Sequence, residues 1–145
     1  MDVVRSDEEI PVAADKENKR DQALRAWWTI LSHSLVSSAV GRKVTVEARV
    51  DNLREVALEI LDATFAVKSP GTLLRRLFAI QAYEAWCVER LGKHWLPVVE
   101  FEVWTYVRWL QSTKALATKA SSVVEALRFA WFCLVLMEQT LLKEA

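Results

Sequence analysis

Only three glycines and three prolines punctuate 145 residues, and that scarcity constrains the fold more than any other feature. A many-stranded β fold needs frequent tight turns, which draw on Gly and Pro. A chain with so few of them is expected to be all-α. Its length suits one domain, or a small domain with a tail. Fifty-two per cent hydrophobic side chains, with seven Trp among them, supply a core. The expected architecture is a small orthogonal bundle of about five helices behind a disordered N-terminal tail.

Residues 1–19 are polar and acidic without periodicity, which reads as the disordered tail. Residues 20–67 carry two helices of unassigned role. The first, over about residues 20–38, spaces Leu24, Trp27, Trp28, Leu31 and Leu35 along a helix and is expected to stop at Gly41. "RKVTVEARV" (42–50) alternates apolar and polar residues, but one strand has no partner, so it reads as a linker or a lead-in. The second helix follows, with Asp51 or Asn52 as N-cap and Leu53, Val56, Ala57, Ile60, Leu61 and Phe65 on one face.

"KSPG" (68–71) is the strongest break in the chain: Ser69 suits an N-cap and Pro70 the first helical position, with Thr72 as an alternative cap. Residues 68–145 then read as one helical unit. A third helix runs to about Leu91, stepping Leu73, Leu77, Ile80, Tyr83 or Glu84, and Cys87 along one side, and Gly92 ends it. A fourth spans about residues 98–112 with Phe101, Trp104 or Tyr106, Val107 and Leu110 apolar. A long fifth helix spans about residues 119–142, carrying Val123, Val124, Leu127, Ala130, Trp131, Leu134 and Met137.

Net charge is zero, but unevenly placed. Residues 1–67 hold nine basic against twelve acidic side chains, and residues 68–145 hold ten against seven. A mildly basic second half permits an anionic partner. Cys87 and Cys133 lie in apolar helical runs without CxxC spacing or a nearby His, which fits buried thiols in a reducing compartment better than zinc ligation. The N-terminus is charged rather than apolar, and the longest apolar run, "FAWFCLVLM" (129–137), falls well short of the ~20 residues that span a bilayer. The expectation is an intracellular protein of cytoplasm or nucleus that does not enter a membrane.

No catalytic signature is present: GxGxxG, a Walker loop, GxSxG and HExxH are all missing from the sequence. His33 and His94 each read as a lone surface or linker histidine. Glu100 and Glu102 sit where acids favour the helix dipole. No enzyme, cofactor or metal is expected from these residues.

The cations are more informative. Arg75 and Arg76 open the third helix behind Lys68, while Lys114, Lys119 and Arg128 flank or enter the fifth. Cations in a first helical turn oppose the macrodipole. With Thr72, Thr118, Ser121 and Ser122 nearby, both helix starts suit phosphate contacts. The plainer alternative is that these are solvated faces whose long stems cover the core.

Residues 69–137 resemble the N-terminal core-binding module of tyrosine recombinases, a phage-integrase-like, SAM-like helical domain. The resemblance lies in "SPGTLLRRLFAIQAYEAWCVERLG", in the Pro-led "LPVVEFEVWTYVRWLQS", and in "TKASSVVEALRFAWFCLVLM", where hydroxyl and basic residues precede an apolar core pattern. It covers roughly half the chain and rests on no invariant signature. It implies a clamp that lies across duplex DNA and contacts mainly phosphates, through Thr72, Arg75, Arg76, Thr118, Lys119, Ser121 and Ser122, with Arg128 and Lys114 adjacent. The family's catalytic domain would follow this module, and the sequence stops at Ala145 where it would begin. On this resemblance the chain is a truncated, domesticated or excised DNA-binding part, neither Tyr83 nor Tyr106 being placed as a nucleophile.

The tryptophans favour a rival reading. Seven indoles cannot all be buried in so small a domain, and adjacent Trp27 and Trp28 diverge by roughly 100° on a helix. Exposed Trp is enriched at interfaces. A helical protein-binding or self-associating module, using Trp-rich and C-terminal helix faces, is therefore the alternative to DNA binding.

Overall fold

The computed structural model describes residues 12–115 and 117–136. Among these there are six α-helices and no strand: α1 (Val12–Leu31), α2 (Ala39–Glu47), α3 (Leu53–Thr64), α4 (Pro70–Trp86), α5 (Glu100–Ser112) and α6 (Ala117–Ala130). The all-α class is as expected. Of the tail expected over residues 1–19, residues 1–11 lie outside the described residues, and the backbone from Val12 onward belongs to α1.

α1 runs through the middle of the fold and packs on α3 and α4. Its adjacent tryptophans diverge as helical geometry requires: Trp27 is fully buried and Trp28 half-buried. Trp27 lies against Phe65 (centroids 5.3 Å apart) and Phe129 (6.0 Å), and its indole N–H donates to the Leu73 carbonyl at 3.0 Å. That bond stitches α1 to the first turns of α4. Arg20 supplies a second tie. Its guanidinium donates to Asp62 Oδ1 at 2.8 Å and to the carbonyls of Asp62, Phe65 and Lys68 at 3.0, 3.0 and 2.9 Å. A cation among the terminal carbonyls of α3 satisfies groups that the helix leaves without partners.

Two sequence expectations are corrected around Gly41. The segment read as a linker is largely α2, and Gly41 lies inside that helix rather than ending the one before. α1 stops ten residues earlier, at Leu31. Ser38, fully buried, caps α2 by accepting the Gly41 N–H at 2.8 Å. A side chain at position 41 is excluded by contact, because a Cβ there would meet the Leu35 carbonyl oxygen at 2.2 Å. The alternation "RKVTVEARV" reflects a helix with only Val40, Gly41 and Val44 buried.

α3 begins after Asn52 as expected, although the Asn52 carboxamide bonds the Arg49 N–H at 2.6 Å instead of capping the helix. The "KSPG" reading holds. Ser69 Oγ accepts the Thr72 N–H at 3.1 Å, Pro70 occupies the first turn, and Leu73, Leu77, Ile80, Tyr83 and Trp86 are buried. α4 widens at its end into a π-turn over Cys87–Leu91, closed by Gly92, whose N–H returns to the Cys87 carbonyl with φ of 69°. Only glycine adopts that left-handed conformation without strain.

The inward face of α5 is the expected one through Tyr106, Val107 and Leu110, with Val103 in place of Phe101. Val103, Tyr106, Val107 and Leu110 are buried, whereas Phe101 and Trp104 are exposed. Val103 stands three and four residues ahead of Tyr106 and Val107, on the same side of the helix. The long fifth helix of the sequence reading is also shorter. α6 ends at Ala130 and passes through a π-turn over Trp131–Val135; Val135 then takes φ of 54°, and Leu136 forms an isolated antiparallel bridge with Ser38. Met137 and the rest of the expected helix lie outside the described residues.

The glycine geometry makes opposite predictions for two alanine substitutions. Gly41→Ala should destabilise by about 3 kcal/mol or more, because the obstruction is backbone and cannot rotate away. Gly71→Ala meets nothing within 4 Å, and should be neutral or stabilising by up to ~1 kcal/mol through the unfolded state. Urea denaturation of both variants checks the pair.

Candidate functional site

The middle and end of α4 and the first turns of α6 face one another across a groove of about 780 Å³, which Glu89 also lines. α4 supplies Arg75, Phe78 and a run of small residues, Ala79, Ala82 and Ala85. The end of α5 supplies Tyr106, Trp109 and Leu110, and α6 closes it with Thr118, Lys119, Ser122 and Val123. Alanines at this spacing keep one side of α4 shallow, so the groove is open rather than filled. Its aromatic wall is a cluster in which Trp86, Tyr106 and Trp109 lie 5.2–6.3 Å apart, Tyr106 stacked on Trp109 and Trp86 tilted against both. Arg90 sits 5.3 Å over the Trp109 ring, a cation–π contact that fixes the rim.

Four of the nine residues read from the sequence as phosphate contacts therefore converge: Arg75, Thr118, Lys119 and Ser122 line this groove together. Lys114, in the turn before α6 with φ of 62°, and Ser121 are exposed beside it. Among the described residues, Arg75, Lys114 and Lys119 have no carboxylate within ion-pair distance. Neither α4 nor α6 has an acid in its first turn, unlike α5, which has Glu100 and Glu102 there.

The remaining three are placed differently. Arg76 donates to Glu125 Oε1 at 3.0 Å and lies 5.9 Å over the Phe129 ring, so it ties α4 to α6. Thr72 takes part in the start of α4, its hydroxyl accepting from Ser69 at 3.1 Å. Arg128 lines a separate groove with Glu100, Trp104 and Trp131. Adjacent arginines on a helix diverge by roughly 100°, which is why Arg75 and Arg76 cannot share one role here.

Behind the aromatic wall lie Tyr83 and Cys87, both fully buried. Burial raises the Tyr83 phenol above its ordinary range, with the neighbouring Cys87 thiol adding to the effect. Burial likewise pushes the Cys87 thiol up to about 11, a rise that its contact with Tyr83 partly offsets. Burial also raises the Tyr106 phenol. These groups stay protonated and serve as core.

A second constellation escaped sequence reasoning. His33 and His94, each read as solitary, stack with ring centroids 4.0 Å apart and planes 6° from parallel, and both meet the Glu84 carboxylate. Sixty-one positions separate the two histidines along the chain, so no local spacing marks the pair. The periodicity of α4 left position 84 as an alternative to Tyr83, and that was the only signal available. Comparison with family models, with curated proteins and with solved structures finds no match to this chain. Among the described residues no helix is long and apolar enough to cross a membrane.

The buried thiol gives an alkaline signature. The folded state keeps a proton that the unfolded thiol releases near 9.0 and the folded one near 11. The contribution is therefore full below pH 9 and is lost as the pH rises through about 11. Melting temperatures across that interval should show the advantage of wild type over Cys87→Ala narrowing as pH rises. A constant difference contradicts the assignment.

Proposed function

We propose that this chain is a non-catalytic DNA-binding helical domain that holds the phosphate backbone across the mouth of the α4–α6 groove. The convergence of Arg75, Thr118, Lys119 and Ser122 on one surface carries the reading. Two cations without carboxylate partners and two hydroxyls present donors to an anion, Glu89 being the acid among the lining residues. α6, whose first turn holds Thr118 and Lys119, has no acid there to compensate its dipole. Lys114 extends the basic edge. Contacts of this kind position a duplex without reading its bases. The reading accords with the resemblance of residues 69–137 to the recombinase core-binding module, with Arg76 reassigned to holding the bundle together and Arg128 lying on another face. Two unpaired cysteines accord with an intracellular setting.

A second reading is favoured by the groove's interior. Alanines, Trp86 and Trp109 line it, and Phe78 beside them is 60% exposed. An apolar trough with a basic edge also fits an amphipathic helix bearing acidic residues.

Fluorescence anisotropy of a labelled random-sequence duplex, titrated over a range of salt, separates the two. On the DNA reading, affinity falls linearly in log salt, and Arg75→Ala/Lys119→Ala lowers the slope by about 2. Arg76→Ala changes the slope little, because that guanidinium is already paired with Glu125. A folded protein that does not bind at low salt, or a double variant that binds as wild type, overturns the DNA reading.

A further inference from the structure

We propose that His33, Glu84 and His94 form a binding site for a single divalent transition ion of the zinc class. The three residues come from separate segments: the turn after α1, the last turn of α4, and the loop between Gly92 and α5. Each offers one donor atom, and the three atoms lie within 4.8 Å of one another. Glu84 Oε2 is the common point, 2.6 Å from His94 Nδ1 and 3.4 Å from His33 Nε2.

The spacing suits one ion. Donors bound at ~2.0–2.1 Å in tetrahedral geometry lie roughly 3.3 Å apart. The His33–Glu84 separation already matches that value. The His94–Glu84 contact has to open by a fraction of an ångström, and the His94 ring, parallel to His33 at 4.0 Å, has to turn out of the stack so that both lone pairs meet at one ion; the side chain, 51% exposed, has room to do so. A metal ion replaces the proton that otherwise bridges a ring nitrogen and the carboxylate, and it leaves all three groups as acceptors.

The surroundings are built to hold this arrangement. Glu84 Oε1 accepts the Trp95 backbone N–H at 2.7 Å, which orients the carboxylate and leaves Oε2 toward the histidines. The Trp95 indole is buried and donates to the Ile30 carbonyl at 2.9 Å, three residues before His33. The loop carrying His94 is thereby anchored to the helix end carrying His33. Glu84 itself is only 13% exposed, and its partners are the Trp95 N–H and the two histidines.

Donor chemistry narrows the ion. Two imidazoles and one carboxylate suit Zn²⁺, Co²⁺, Ni²⁺ or Cu²⁺, whereas Mg²⁺ and Ca²⁺ take oxygen donors. Three protein ligands leave a coordination position for water or an external group on the solvent side. An ion there would cross-link α1, α4 and the loop before α5.

The test uses the full chain without a histidine tag. Isothermal titration with Zn²⁺ alone should give one ion per chain, and Co²⁺ alone should give visible absorption of a nitrogen–oxygen site. Thermal melts should shift upward with Zn²⁺ and not with Mg²⁺. His94→Ala, at a half-exposed position, should keep the metal-free melting temperature and helical circular dichroism while weakening Zn²⁺ at least about 10-fold. Glu84→Gln should do the same if it folds. Absence of stoichiometric Zn²⁺ binding, or binding that His33→Ala and His94→Ala both leave unchanged, overturns the proposal.

Discussion

An indole buried in a protein interior gives up water at its N–H, and this fold depends on two buried indoles whose N–H finds an acceptor, while the buried Trp86 N–H has none. Trp27 and Trp95 are nearly inaccessible, and each donates to a main-chain carbonyl far away in sequence, Leu73 and Ile30 respectively. An unmade bond at either place would cost about 1–3 kcal/mol. One bond sets the seam between α1 and α4, and the other holds the loop before α5 against the end of α1. Both use the single donor of a rigid ring, so they fix direction as well as distance. The stacked histidines and the common carboxylate are a geometric consequence of the second bond.

Legibility of the fold in the sequence follows the range of the interactions. Local rules sufficed where one residue and its near neighbours decide the outcome: the Ser69–Pro70 helix start, the Gly92 stop, and the α3 and α4 faces carrying Ala57, Ile60, Leu61, Leu73, Leu77 and Ile80. They misled where an identical local signal has two causes. Gly41 looks like a helix terminator, but its glycine is required by the Leu35 carbonyl pressing on the Cα. In α5 Tyr106, Val107 and Leu110 were legible as inward, and Phe101 misled because it is as apolar as Val103, which takes the inward place. In the candidate site, Arg75, Thr118, Lys119 and Ser122 were named from their positions at helix starts. Their convergence on one groove, and the diversion of Arg76 to Glu125, are tertiary facts.

The groove illustrates a tension between stability and surface chemistry. α5 begins with two acids, as the helix dipole favours, whereas the first turns of α4 and α6 hold none; Lys119 stands in the first turn of α6, and Arg75 and Arg76 stand in the second turn of α4. Placing Lys119 there forgoes roughly 0.3–1 kcal/mol at the start of α6. Such a departure is understandable where a negative group from outside completes the electrostatics, as in the phosphate contact proposed above. Arg20 shows the opposite case within the same molecule: a guanidinium at the end of α3, where the dipole welcomes it, and with all its bonds internal.

The distribution of indoles also equips the protein with separable optical reporters. Trp27 and Trp95, shielded from water and hydrogen-bonded to carbonyls, belong to the interior and respond to loss of the tertiary seams. Trp109, half-buried beneath the Arg90 guanidinium, and Trp86 beside it border the groove. Trp104 and Trp131 border the smaller groove on the other side of α6. Emission from these three environments differs in colour and in access to an aqueous quencher. Occupation of either surface therefore registers in native fluorescence without a label and without disturbing the interior signal.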